Sequence, residues 1–251
     1  MKKSILFCAS LLIATAFISC KNAKTTQTET SQASSEEVVI TQKPKANTLL
    51  TKEQRDALTP DEVLEFLMAG NQRYTDNDLT VRDHATRIRK SVLGQYPKAM
   101  VLSCLDSRVP VEDVFDRGIG DLFVGRVAGN FVNEDLLGSM EFACKVSGAK
   151  LILVLGHEQC GAVKAAIDDV ELGNITAMLS KIKPAVEKTT YEGERTSSNP
   201  DFVRKVGDSN ILNTIEQIRK NSPILKEMED NGEIKIVGAV YSLETGRVTV
   251  L

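Results

Sequence analysis

At 251 residues, with 42% apolar and 26% charged content, the chain has an ordinary globular composition and room for one medium domain with short extensions. A net charge of −3 argues against nucleic acid as a partner, since that role wants a basic face. No run of ~20 apolar residues is present to span a membrane permanently.

The amino terminus reads as a targeting segment. Lys2 and Lys3 precede an apolar stretch from Ile5 to Ile18, which ends at Ser19-Cys20. This resembles a bacterial lipobox: residues 1–19 would be a lipoprotein signal peptide and Cys20 the lipidated first residue of the mature chain. An ordinary secretory signal with an idle Cys20 is the alternative. Residues 20–50 are rich in Thr, Gln, Ser, Lys and Glu, which predicts a disordered tether. A flexible coil of ~30 residues has an end-to-end distance of about 30 Å, enough to hold a domain clear of a lipid surface. The expectation is an exported protein facing the periplasm or cell surface, touching a membrane through its lipid anchor only.

The folded domain is expected over 51–251. Thr59-Pro60-Asp61-Glu62 starts a helix, with Thr59 as N-cap, Pro60 at the first position and Glu62 closing a capping box. Val63, Leu64, Phe66 and Leu67 then give it one apolar face as far as Tyr74. A basic segment, Arg82 to Lys90, follows as a helix with a solvated face or a subunit contact, ended by Gly94. Beyond it come strands at 99–104, 121–127 and 150–155, with helices at 134–147 and 162–170. Helical stretches at 175–188 and 202–221, a short helix at 223–230, a strand at 234–241 and a final hairpin strand from Val248 complete the chain. Strands alternating with helices predict an α/β fold, a central mostly parallel sheet flanked by helices, with a helical amino-terminal arm.

Five cysteines are present. Cys8 and Cys20 belong to the leader, and Cys144 reads as a small buried helix residue without a partner. The other two stand in Cys104-Leu105-Asp106-Ser107-Arg108 and His157-Glu158-Gln159-Cys160, each following an apolar run. Two thiolates and an imidazole at the carboxyl ends of two strands make three zinc ligands, leaving the open position that a catalytic zinc needs. Alternation in an extended segment would turn Asp106 and Arg108 to the side of Cys104 and Leu105 away from it. An Arg beside an Asp lowers the carboxylate's pKa and fixes its rotamer. Gly156 and Gly161 flank the second motif and would permit a tight turn there. Two thiolates cancel the charge of the ion, so this site should acidify water less than three imidazoles do, and activity should rise on the alkaline side of neutrality.

The pattern C-x-D-S-R followed by H-x-x-C resembles the β-class carbonic anhydrases, over residues from about 55 to the end. The resemblance implies zinc on Cys104, His157 and Cys160, with Asp106 and Arg108 as a catalytic dyad. It implies attack of zinc-bound hydroxide on CO2 to give bicarbonate and a proton, a carbonate dehydratase (lyase) activity. Asp106 would be a fourth zinc ligand in the family's closed, inactive state only. Gln95 matches the family's substrate-binding glutamine, Phe123 an aromatic pocket wall, and Gly161 a pocket position. One departure is Phe142, which stands where some members carry a Tyr fifteen residues before the zinc His. In this family the arm packs across a partner subunit and the site lies at the subunit interface, so a homodimer or a dimer-based oligomer is implied. Two alternatives stay open: hydrolysis of carbonyl sulfide or carbon disulfide on the same scaffold, and a non-catalytic zinc-containing binding lipoprotein.

Overall fold

The computed structural model describes residues 49–251, so the leader, Cys20 and nearly all of the expected tether lie outside the described residues. Three helices come first: α1 (Lys52–Asp56), α2 (Pro60–Thr75) and α3 (His84–Ser91). Then follow β1 (Ala99–Ser103), α4 (Val111–Val114), β2 (Leu122–Arg126), and α5 (Glu134–Glu141), which runs on as a π-helical turn, Phe142–Val146. The chain continues through β3 (Leu151–His157), α6 (Gly161–Ile167), α7 (Gly173–Leu179), α8 (Lys183–Lys188), α9 (Pro200–Asn221) and α10 (Pro223–Asp230). It ends on β4 (Lys235–Tyr241) and β5 (Val248–Val250). The sheet order is β2-β1-β3-β4-β5, with β5 alone antiparallel.

Every residue of β1 and β3 is buried, as a strand covered on both faces requires, which is why these strands read as unbroken apolar runs. Alternation then sorts their side chains. Met100, Leu102, Ile152 and Val154 face α5 and α9, meeting Leu137, Met140, Ile211 and Ile215. Val101, Leu151, Leu153 and Leu155 face the other way, against Val63 and Leu67 of α2 and Val111 and Val114 of α4. A third apolar cluster, with Val163 of α6 and Phe202 and Val206 of α9, surrounds Cys104 and Cys160 at the carboxyl end of the sheet.

Thr59 caps α2 as its sequence predicts: its hydroxyl accepts the Glu62 N–H and the Glu62 carboxylate accepts the Thr59 N–H. Two expectations need correction. The stretch 175–188 divides into α7 and α8, because Pro184 has no N–H with which to continue α7. The basic segment is not simply a solvated face: Arg82 reaches Asp113 and Asp116, and buried Arg87 reaches Asp121 and the Ile119 carbonyl. Within the chain, the apolar stripe of α2 seats on β1 and β3.

Asp116 locks the arm in place. Its fully buried carboxylate accepts from Arg73 Nε at 2.6 Å, Thr80 Oγ1 at 2.6 Å, Thr80 N–H at 3.0 Å and Arg82 Nη2 at 3.2 Å. Burial on its own would raise this carboxyl's pKa, but the bonds from Thr80, Arg73 and Arg82 outweigh it and hold it below its ordinary value. A depressed folded-state pKa gives stability above the unfolded value of about 4, lost as pH falls through the folded value. Asp116→Asn keeps the shape and suits the backbone φ of 49° there, while removing the charge. It should cost roughly 2–4 kcal/mol in urea unfolding at pH 7, with the gap to the parent closing below about pH 4. A gap that stays constant with pH would show that the carboxylate charge is not what stabilises the arm.

Candidate metal centre

The chain leaves β1 for β2 on one side and later places β3 on the other, so a crevice opens at the carboxyl ends of β1 and β3. Ser103 pairs with Leu155, which sets Cys104 beside the last residues of β3. There Cys104, His157 and Cys160 are all buried, with their ligand atoms within 4.8 Å of one another. The two sulphurs are 3.7 Å apart. A tetrahedral ion with metal–sulphur bonds of ~2.3 Å wants them roughly 3.8 Å apart.

The imidazole is oriented to match. His157 Nδ1 lies 2.8 Å from the Glu158 carbonyl, which can only accept, so Nδ1 carries the proton and Nε2 presents its lone pair. Nε2 is buried and has no hydrogen-bond partner among the described residues. Glu158 is itself pinned: its N–H donates to the Tyr241 carbonyl, and its carboxylate accepts from Ser242 Oγ and the Leu243 N–H. The tight turn from His157 to Cys160 is made by Gln159, at φ 53°, rather than by the flanking glycines. Gly156 is needed for another reason: a Cβ there would come within 2.6 Å of Ile211 Cδ1, so glycine lets α9 approach β3. Gly161 opens α6 with free space where its Cβ would stand. The thiols are coupled. Donation from Cys104 holds the Cys160 thiol below its ordinary value, helped by His157, and pushes the Cys104 thiol up. A bound cation favours deprotonation of both.

Asp106 stands at the mouth of this cluster. Its Oδ1 accepts from the Arg108 N–H at 2.9 Å and Nε at 3.0 Å, and its Oδ2 accepts from Nη2 at 2.8 Å. Oδ2 is also 3.5 Å from His157 Nε2. The Arg108 side chain holds this carboxyl well below the usual carboxylate range. The segment is not extended: the Val109 N–H returns to the Asp106 carbonyl, and it is this turn that brings Arg108 back onto Asp106. Leu105 points outward, 71% exposed.

Arg126 and Gly129 act here although no individual role was read for them. Arg126 Nη1 donates to the Cys104 carbonyl at 3.1 Å and Nη2 to the Val109 carbonyl at 2.6 Å, which clamps the turn at both ends. The signal was present, since Arg126 ends β2 level with Ser103, beside the carbonyls that leave β1. The Gly129 N–H donates to Cys104 Sγ at 3.2 Å.

Gln95 and Phe123 lie elsewhere within the chain. Gln95 is exposed and precedes β1, whereas the cluster follows it, a separation of about 15 Å or more at 3.3 Å per strand residue. Phe123 pairs with Met100 near the amino end of β1, about 13 Å along the strand from Cys104. It packs edge-on to Phe142 at 6.3 Å between centroids and lines an open cleft of about 600 Å³ along the edge strand β2.

Residues 99–248 match the family described as carbonic anhydrase. The chain is 34% identical over 197 residues to carbonic anhydrase 2 of Mycobacterium tuberculosis, covering 76% of this chain and 92% of that one. It is 33% identical over 193 residues to a carbonic anhydrase of Mycolicibacterium smegmatis, covering 75% and 92%. Among solved structures it resembles the Coccomyxa β-carbonic anhydrase, with a TM-score of 0.59 and 27% identity over 75% of this chain and 86% of that one.

Proposed function

The chain belongs to the carbonic anhydrase family, in its β class, and we propose that the metal of its centre is zinc, held by Cys104, His157 and Cys160. Its activity is the reversible hydration of CO2 to bicarbonate and a proton. The observation that carries the zinc reading is the buried, unpartnered Nε2 of His157 beside two sulphurs at tetrahedral spacing. Two thiolates and a neutral imidazole are a borderline-soft donor set suited to zinc. When bound, the ion supplies Lewis acidity, which makes water acidic enough to act as a nucleophile near neutral pH. Of the readings the sequence left open, the comparisons favour CO2 as substrate over carbonyl sulfide or carbon disulfide.

Asp106 is an acceptor only, since Arg108 keeps it charged and grips both of its oxygens. From its place at the mouth of the cluster, Oδ2 accepts a hydrogen bond from the attacking water and aims that water's lone pair at the substrate carbon. Released from Arg108, the same carboxylate would be free to help Cys104, His157 and Cys160 hold the ion, and would then exclude water from it. Purified protein should carry about one zinc per chain. Asp106→Ala should keep the zinc and lose about 100-fold or more of the hydration rate in stopped-flow assays. A parental rate in that variant would remove Asp106 from the mechanism.

Gln95 and Phe123 bind substrate only if a second copy supplies them. The outer edge of β2 carries no strand partner among the described residues, and the apolar cleft with Phe123 and Phe142 runs along it. A second copy seated on this edge carries its own Gln95 and Phe123 toward the first copy's centre. Cys104→Ala and Gln95→Ala chains, each weak alone, should recover about half of the parental activity per mixed dimer when refolded together, because one of its two sites is then intact. No recovery in a mixture shown to contain mixed dimers would place Gln95 outside the site.

Cys20 we assign as the acylated first residue of an exported, membrane-tethered enzyme, on the strength of the apolar leader that ends at Ser19. The cell-derived protein should partition into a detergent phase and begin at a diacylated Cys20, whereas Cys20→Ser should stay aqueous. A parent found in the aqueous phase with an unmodified Cys20 would refute the anchor.

A further inference from the structure

α9 carries an amide where a helix core would ordinarily be apolar. Asn210 is 1% exposed, in the middle of a 22-residue helix, at a cost in both helix propensity and desolvation. Its neighbour Ile211 fixes where it reaches. Added Cβ atoms on Gly156 of β3 and Gly238 of β4 would each come within 2.6 Å of Ile211, so the helix is seated in the gap left by two glycines on adjacent strands. From that seat Asn210 Nδ2 donates to the Gly129 carbonyl at 2.7 Å.

Gly129 is the residue whose N–H meets the Cys104 sulphur. It occupies the third position of a turn closed by the Asn130 N–H on the Val127 carbonyl at 2.9 Å, with φ 84° at Gly129. A positive φ at that position turns the central peptide over, which is what aims the N–H at sulphur. Ile182 packs beneath the turn: a Cβ on Gly129 would stand 2.3 Å from Ile182 Cδ1, so any side chain there would have to displace Ile182 and would be strained at φ 84°. Asn210 holds the far side of the same residue, and the three restraints leave one orientation for the N–H.

We propose that Asn210 is a positioning residue for the metal centre: by holding the Gly129 carbonyl it fixes the backbone on both sides of that residue, so that the Gly129 N–H donates to the Cys104 thiolate. This rests on the zinc reading above and extends it. An N–H directed at a ligand sulphur draws electron density from it and makes it a weaker donor. Two thiolates otherwise neutralise the ion, so this bond restores part of the Lewis acidity on which hydration depends. α9, which contributes no ligand, thereby sets the electronic character of the site.

The test uses the full chain loaded with cobalt(II), read by its thiolate-to-metal charge-transfer band rather than by activity. Asn210→Ala and the milder Asn210→Ser should move that band to longer wavelength, as the Cys104 sulphur becomes the more electron-rich donor. Ile215→Ala, also in α9 but buried in the apolar cluster that does not include the ligands, controls for general destabilisation and should keep the parental band. A parental band in a folded Asn210 variant, or an equal shift in Ile215→Ala, would overturn the assignment while leaving the metal centre standing. A parent with no thiolate–cobalt band would remove the metal reading and this inference with it.

Discussion

The parallel pairing of β1 with β3 is the constraint on which the centre depends. Ala99 through Ser103 run level with Leu151 through Leu155, and the ligands are simply the next residues on either strand. A slip of one position would turn Val101 and Leu153 toward the wrong layer and carry Cys104 away from His157. Packing on both faces forbids this, because each face is filled by a different set of alternating residues. The amino ends are tied as well. The Lys98 N–H bonds the Asp121 carbonyl, Lys150 bonds Lys98, and Lys235 bonds Lys150, so the ladder is anchored across four strands before the first regular pair forms. The geometry of the metal cluster is thus the far end of a register set elsewhere.

Buried charge does a different job, at the opposite end of the sheet. Asp121 receives both Lys98 and Arg87, while Phe66 lies between Lys98 and Arg117, at 5.2 and 3.7 Å from its centroid. Such groups are costly to bury, and burial does pull Lys98 down from its ordinary pKa, with Asp121 opposing it. What they provide is a single seating for α2 and α3. An apolar stripe on α2 could slide along the sheet, but Asp116 and Asp121 accept Arg73, Arg82 and Arg87 in one position only. The arm's seat matters because it fixes the segment carrying Gln95, which joins α3 to β1.

Much of this was legible in the sequence, and for definite reasons. The two central strands announced themselves as apolar runs, and the ligand types stood directly after them. The capping box at Thr59 and the terminal hairpin were equally local signals. What escaped was decided by tertiary contact. Gln159 takes the left-handed turn although two glycines flank the motif, because one of them, Gly156, is occupied with admitting Ile211. Arg82 and Arg87 looked like a solvated charge run because their partners, Asp113, Asp116 and Asp121, lie about 30 residues away in sequence. Arg126 and Asn210 act on backbone carbonyls, which no spacing pattern reveals. Spacing also does not say whether a residue stands near its own chain's centre, and Gln95 and Phe123 do not.

The centre is sealed on one side and open on the other. Side-chain exposure climbs from 1% at His157 through 13% at Asp106 to 58% at Arg108. The three ligands are held by core packing, by the Glu158 carbonyl and by Gly129, so none can move without disturbing the sheet's carboxyl edge. The Asp106–Arg108 pair is different. It rests on side-chain bonds at the surface of a turn whose backbone Arg126 clamps from behind. A reaction whose substrate is small and whose product includes a proton needs a rigid ion and a gate in contact with water. This chain places the rigidity in strand register and helix packing, and sets the Asp106–Arg108 pair on the side of the cluster that meets solvent.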